Sequence, residues 1–173
     1  MIINIKSKFR LLARTYEISV NGVPTHRAIK WFFSFFSTVR LYEKDILKIK
    51  MIKEMDFFTE NYDIILSDGV ELIFERPSRK EAIYSCQVRN DYYKIYADRG
   101  PWVQVVKNDR LVAGWEQNDI NFNFHDYQIR GDEDFDAEIV IAFCLICEDL
   151  QSINRNWGRT KALWDEFGDR INS

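Results

Sequence analysis

The chain has 173 residues, of which 46% are hydrophobic and 29% are charged, and its formal net charge is -3. This composition excludes an intrinsically disordered protein, and the length suits one domain with a sizeable core. The pI of about 5.5 argues against a nucleic-acid-binding protein, so no nucleic-acid partner is expected.

The charge is spread unevenly along the chain. Residues 1–55 contain eleven Lys or Arg and four Asp or Glu, which sum to +7, whereas residues 56–173 sum to -10. Two interpretations remain open. The basic and acidic parts can pair across neighbouring strands of one domain, or the basic part can form a face that binds an anionic partner.

Targeting and redox features favour the cytoplasm. The start of the chain, Met1 to Lys6, lacks the pattern of a signal peptide, and no long apolar segment predicts a transmembrane helix. The three cysteines are an odd number, and two of them lie in one apolar segment, so a disulfide framework is not expected.

Residues from about 2 to 130 have the pattern of short β-strands separated by turn residues. Asn21-Gly22 and Ser67-Asp68-Gly69 are typical hairpin turns. The strands predicted with defined bounds are 16–20, 39–42, 46–52, 62–66, 70–74, 83–88, 92–96, 102–106, 111–115, 120–124 and 127–129. Their number and spacing predict an antiparallel sandwich or barrel.

A faint internal repeat accompanies two of the predicted hairpins. Phe32-Phe33-Ser34 precedes the first hairpin, and Phe57-Phe58-Thr59 precedes the second hairpin 25 residues later. A unit of this length indicates a repeated hairpin rather than a pair of solenoid helices.

Residues 139–147 are nine consecutive apolar residues that follow an acidic stretch. Asp136 suits the N-cap position, and the acidic residues suit the positive end of a helix dipole, so we predict a helix that continues to Leu150. Its β-branched residues would also allow a strand. Because the helix is apolar on every side, it must be surrounded. It is too short for a membrane span, which needs about 20 residues.

These predictions together define the fold class. A helix that lies on a sandwich leaves one face in water, whereas a closed barrel encloses it. We therefore predict a mainly β (α+β) protein with a closed antiparallel barrel of about twelve strands around a central C-terminal hydrophobic helix. This domain spans residues 1–152. Residues 153–173 predict a short amphipathic helix that packs on the barrel or on a partner, including a second copy of the chain in a homodimer.

Several motifs resemble the tubby C-terminal-like superfamily, and most closely its LURP-one-related barrels. These motifs are the Phe-Phe-Ser and Phe-Phe-Thr units before hairpins, the segment from Tyr62 to Leu72, and the apolar C-terminal helix. The resemblance covers about residues 1–150 and implies a twelve-stranded barrel around a central helix. It also implies a binding function, since tubby barrels bind phosphoinositides and related scramblases act at membranes. In tubby-like barrels the central helix ends the chain, whereas residues follow it here.

Few residues are suited to catalysis. His26 follows a predicted turn at Val23-Pro24-Thr25, His125 lies beside Asp126, and both are expected to be structural or surface histidines. The chain has no nucleophile elbow and no glycine-rich phosphate loop. We expect no enzyme activity and no cofactor.

No metal site is predicted either. Cys144-Leu145-Ile146-Cys147 has the spacing of a redox or zinc motif, but its apolar surroundings disfavour thiolates, so core cysteines are expected. The acidic residues 132–138 lack the ligand spacing of a calcium loop, and helix capping explains them.

Basic and aromatic residues of the first third suggest a surface for anionic membranes. The segment Lys30-Trp31-Phe32-Phe33-Ser34-Phe35-Phe36 combines a cation with aromatic rings, and a second stretch near the start is basic and free of acidic residues. The predicted lipid-binding residues are Lys6, Lys8, Arg10, Arg14, Arg27, Lys30, Trp31 and Arg40. Alternatively, the aromatic residues pack inside the barrel and the cations are simply solvated.

We therefore expect a non-enzymatic binding or scaffold module, located in the cytoplasm or peripherally at a membrane, that binds anionic phospholipid or phosphoinositide. One alternative is a lipocalin-like barrel with a hollow lumen and an outer helix that has one polar face. Another is a protein–protein interaction module.

Overall fold

The computed structural model describes residues 1–10, 12–31, 37–54, 61–77, 82–97, 102–116, 126–132 and 135–150. Within these ranges the chain forms twelve strands and one helix, α1, at residues 137–150. The strands are β1 Ile2–Arg10, β2 Ala13–Val20, β3 Val23–Trp31, β4 Thr38–Glu43, β5 Ile46–Lys53, β6 Tyr62–Leu66, β7 Glu71–Glu75, β8 Ile83–Val88, β9 Asp91–Tyr96, β10 Trp102–Lys107, β11 Arg110–Glu116 and β12 Asp126–Gly131.

The strands close into a single antiparallel barrel. Each strand pairs with its neighbours in the sequence, and β1 completes the ring by pairing with β12, where Ile5 lies opposite Tyr127. The amino group of Met1 adds a hydrogen bond to the carbonyl oxygen of Gly131 at 2.8 Å. The predicted fold class, a closed barrel of about twelve strands with a C-terminal helix, is confirmed.

Five short turns lie at one end of the barrel, which we call the turn end. They occupy residues 21–22, 44–45, 67–70, 89–90 and 108–109. Asn21 and Gly22 both have positive φ angles, of 51° and 83°, as the type I′ turn of a two-residue hairpin requires. The predicted turns at Asn21-Gly22 and Ser67-Asp68-Gly69 are both present.

The helix α1 fills the interior of the barrel. All residues from Ile139 to Leu150 are buried. The ring of Phe143 lies 5.5 Å from that of Phe74 on β7 and 5.4 Å from that of Tyr93 on β9. The helix is therefore surrounded by strands, as its apolar circumference demands. No helix in the described part of the chain combines the length and the apolar character that a membrane crossing would need.

Asp136 caps α1, as the sequence predicts. Its Oδ1 accepts hydrogen bonds from the backbone N–H groups of Glu138 at 3.1 Å and Ile139 at 3.2 Å. A carboxylate at this position satisfies N–H groups that have no partner within the helix and interacts favourably with the helix dipole.

Two strands of the structure, β1 and β3, had no bounds in the sequence prediction. The prediction of a turn at Val23-Pro24-Thr25 is wrong, because this segment is the start of β3. The turn consists of Asn21-Gly22, so β3 begins at once, and Pro24 is tolerated because it lies at a register shift in the β2–β3 pairing. The predicted strand 120–124, both Phe-Phe motifs, His125 and residues 153–173 lie outside the described residues.

Candidate functional site

The outer surface of β1 to β5 carries a group of cations. In β1, Ile3, Ile5 and Ser7 are buried, so the alternation of a strand directs Lys6 and Lys8 outward. The strands β3, β4 and β5 present further outward cations. We call this set the basic face: Lys6, Lys8, Arg10, Arg27, Arg40 and Lys50.

The acidic residue Glu17 lies among these cations on β2, and Asp126 on β12 lies opposite Lys6. The carboxylate of Glu17 accepts a hydrogen bond from the Nζ of Lys8 at 2.6 Å. That hydrogen bond and the charge of Lys8 lower the pKa of Glu17, and the charges of Lys6 and Arg10 lower it further. Glu17 is therefore surrounded by positive potential.

Two cations of the basic face lie directly opposite each other. Arg40 on β4 pairs in register with Lys50 on β5. Like charges in this arrangement destabilise a sheet. Among the described acidic side chains, none forms an ion pair with either residue. Arg27 differs, because its guanidinium contacts Asp45 at 2.6 Å and lies over the ring of Tyr42 at 5.3 Å.

Trp31 borders the basic face at the end opposite the turns. It points outward from the last position of β3, and 47% of its surface is exposed. Phe9 and Leu12 are also exposed near this end. Exposed aromatic and aliphatic residues beside cations are typical of surfaces that bind membranes peripherally.

Arg14 and Lys30 do not belong to this face, and their prediction as lipid-binding residues needs correction. Both point into the barrel, where Arg14 forms an ion pair with Glu148 and Lys30 forms an ion pair with Asp149. The physical reason is the alternation of their strands, which puts Arg14 on the same side as the buried Tyr16, and Lys30 on the same side as Ala28.

These pairs form an inner ionic cluster around the last turn of α1. The hydroxyl of Tyr62 on β6 also donates to Asp149. Burial alone would raise the pKa of Asp149, but Lys30 and the hydrogen bond from Tyr62 lower it below its ordinary value. Burial also raises the pKa of Tyr62 well above its usual range. The cluster therefore holds ionised carboxylates inside the barrel by pairing each with a cation.

A second polar group lies at the turn end, around the first turn of α1. His26 on β3, Glu43 on β4 and Glu138 on α1 each direct a ligand-type atom to one place, and these atoms all lie within 4.8 Å of one another. The Nζ of Lys48 on β5 lies 2.9 Å from Glu43 and 3.2 Å from Glu138. Both carboxylates hold the pKa of Lys48 above its ordinary value.

The sequence gives little indication of this group. His26 and Glu138 are separated by 112 positions, and Glu43 reaches them because β3 and β4 pair with His26 opposite Glu43. No spacing rule connects residues brought together by barrel closure. The available signal was a histidine beside a hairpin turn, and His26 was predicted to be a structural or surface histidine.

The interior that the described residues enclose is occupied by α1. The buried side chains of α1 pack against the inward residues of the strands in one hydrophobic core. The lipocalin-like alternative, which needs a hollow lumen and an outer helix, is therefore wrong. Among the described residues, a groove of about 410 Å³ lies on the outer surface and is lined by Trp102, Gly114 and Arg130 among others.

The three cysteine thiols are buried, and none of them forms a disulfide bond. Burial raises the pKa of Cys86 to about 12 and raises the pKa of Cys144 and Cys147 above its usual value as well. Thiols with such pKa values are poor nucleophiles and poor metal ligands at neutral pH. The C-x-x-C spacing in α1 therefore belongs to the core.

The comparisons with known proteins do not assign a family to this chain. No family model matches it, and neither a curated protein nor a solved structure matches it.

Proposed function

We propose that this protein is a non-enzymatic module that binds anionic phospholipid surfaces, including phosphoinositides, through its basic face. The observation that carries the proposal is the direct opposition of Arg40 and Lys50 within the basic face. Such an arrangement lowers the stability of the sheet when it stands alone and is relieved by an anionic partner. Other cations of the face have acidic neighbours, since Glu17 pairs with Lys8, Asp45 pairs with Arg27 and Asp126 lies opposite Lys6.

Six cations are enough for measurable binding to an anionic membrane. Each Lys or Arg near such a membrane contributes about 1 kcal/mol. Trp31 adds an aromatic side chain at the border of the face, where it can insert into the headgroup region. The described residues of α1 pack against the inward residues of the strands, so the barrel presents these cations on a packed scaffold.

We also propose that the barrel belongs to the tubby C-terminal-like superfamily and acts in the cytoplasm. The support for the first point is the agreement between the closed twelve-stranded barrel with a C-terminal core helix and the architecture that the sequence resemblance implies. The support for the second is the absence of disulfides among its three buried cysteines.

Vesicle flotation tests the lipid proposal. The full chain is mixed with vesicles of phosphatidylcholine alone, or with added phosphatidylserine or phosphatidylinositol bisphosphate. We expect flotation with the anionic vesicles and not with phosphatidylcholine alone. Flotation should decrease as salt rises, because the screening length falls from about 10 Å at 0.1 M to about 3 Å at 1 M.

A charge-reversal variant and a matched control locate the surface. The test variant is Lys6→Glu, Arg10→Glu, Lys50→Glu. The control, Arg89→Glu, Lys94→Glu, Arg110→Glu, makes the same change in net charge away from the basic face, in the turn before β9, on β9 and at the start of β11. The test variant should bind at least ~100-fold more weakly than the wild type, and the control should bind nearly normally. Equal binding by the two variants would show that the basic face is not the binding surface.

A further inference from the structure

Three ligand-type side chains converge at the turn end from three separate elements. His26 and Glu43 are cross-strand neighbours on β3 and β4, and Glu138 is the second residue of α1. Their ligand atoms lie within 4.8 Å of one another. Because two of the elements belong to the wall and one to the core, the closed fold fixes this arrangement.

The imidazole of His26 is oriented as metal ligands usually are. Its side chain is only 7% exposed, and its Nδ1 lies 2.8 Å from the hydroxyl oxygen of Thr25. The Nε2 points toward Glu138, whose oxygen is 3.4 Å away, beyond the usual range for a hydrogen bond of about 2.7–3.2 Å. In the tautomer with its proton on Nδ1, the Nε2 lone pair faces carboxylate oxygens, and a cation between them would satisfy both.

Lys48 already supplies a positive charge to the two carboxylates. Its Nζ contacts Glu43, and it also contacts the same oxygen of Glu138 that faces His26. The Lys48 side chain is 25% exposed at the turn end of the barrel, so it can rotate toward solvent. A cavity of about 100 Å³, lined by Lys48, Asp136 and Glu138 among others, adjoins the group and has room for water ligands.

We propose that His26, Glu43 and Glu138 bind a divalent transition-metal ion of the Zn²⁺ class, with Lys48 as an internal competitor for the same carboxylates. One imidazole and two carboxylates suit Zn²⁺, whereas Ca²⁺ prefers oxygen ligands alone. Ligand atoms around a tetrahedral Zn²⁺ are about 3.3 Å apart, so small side-chain rotations bring the three donors into place. Water completes the coordination from the cavity side.

This site is independent of the basic face. It lies at the turn end of the barrel, and its residues are not among those that the lipid proposal uses. Either proposal can therefore fail without affecting the other.

Calorimetric titration of the tag-free full chain with Zn²⁺, together with the visible absorbance of added Co²⁺, tests the proposal. We expect one ion per chain and a rise in the melting temperature of the protein. His26→Gln should weaken binding by more than about 100-fold, since the loss of an outer-shell partner alone typically costs about 10–100-fold. His125→Gln, which changes the other histidine of the chain, is the matched control and should bind like the wild type.

Lys48→Met gives a second, opposite expectation. Removing the competing ammonium group should strengthen metal binding, while His26→Gln weakens it, so a general loss of folding cannot produce both results. If neither the wild type nor Lys48→Met binds Zn²⁺, or if His26→Gln binds it as tightly as the wild type, these residues form only an ion-pair cluster and the proposal is wrong.

Discussion

Lys30 on β3 donates a hydrogen bond to Asp149 in the last turn of α1, although the two residues are 119 positions apart. The contact joins the wall of the barrel to its core helix. Arg14 and Glu148 make a parallel connection from β2. The apolar part of the helix is oriented by side-chain packing alone, and these polar pairs add directional contacts that also fix its rotation about its own axis.

Breaking the Lys30–Asp149 pair from one side should destabilise the protein strongly. Lys30→Met removes the ammonium group that forms an ion pair with the buried carboxylate of Asp149, and a loss of about 3–5 kcal/mol in the free energy of unfolding is expected. Urea denaturation measures this change.

Two further variants serve as controls for that measurement. The double variant Lys30→Met, Asp149→Leu removes both charges, so it should be less destabilised than the sum of the single changes. Lys8→Met breaks the exposed pair with Glu17 and should lower the free energy of unfolding far less than Lys30→Met does, because solvent screens exposed charges. If Lys30→Met and Lys8→Met lower the free energy of unfolding by similar amounts, the ion pair of Lys30 with Asp149 is not a buried one and the inner ionic cluster is wrongly described.

Asp149 should also make stability depend on pH in the acidic range. The lowered pKa of Asp149 means that the unfolded chain binds this proton more readily than the folded protein. Its contribution is therefore present above its ordinary pKa of 3.8 and is lost as the pH falls through the lower folded value. In urea midpoints, the advantage of the wild type over Asp149→Asn should shrink below about pH 4. If the difference in urea midpoint between the wild type and Asp149→Asn stays constant across the acidic range, the pKa of Asp149 is not lowered in the folded protein.

Particular residues show what the sequence could predict. The apolar segment 139–147 with Asp136 before it was sufficient for a capped core helix, and the short turns were sufficient for antiparallel hairpins. These signals are local, and the need to enclose the helix then implied a closed barrel.

The placement of the cations shows the limit of sequence prediction. Extending the alternation of Tyr16 and Ile18 by one step would have directed Arg14 inward, but a basic side chain was taken to be exposed. Lys30 and the His26–Glu43–Glu138 group could not be placed this way, because their partners depend on strand register and on how α1 enters the barrel.

Phe143 should be among the most sensitive positions of the core. Its ring packs against Phe74 on β7 and Tyr93 on β9, the two strands that flank β8 in the wall, and it is fully buried. Phe143→Ala should lower the free energy of unfolding by about 3–5 kcal/mol, because it leaves a cavity that rigid strands cannot fill. Ile73→Ala, on an outward position that is 57% exposed, is the control and should change stability by less than about 1 kcal/mol. Equal losses for the two variants would show that α1 is not the packed axis of the barrel.

The cysteines should be unreactive in the folded protein. Because burial raises the pKa of all three thiols, the thiolate that attacks a disulfide reagent is scarce, and the reagent also cannot reach the sulfur atoms. Ellman's reagent should therefore modify none of them in native buffer and all three in denaturant. Oxidised glutathione should likewise leave Cys144 and Cys147 reduced in the native state. Rapid native-state modification of either residue would mean that α1 leaves the barrel readily, which is incompatible with a helix enclosed on every side.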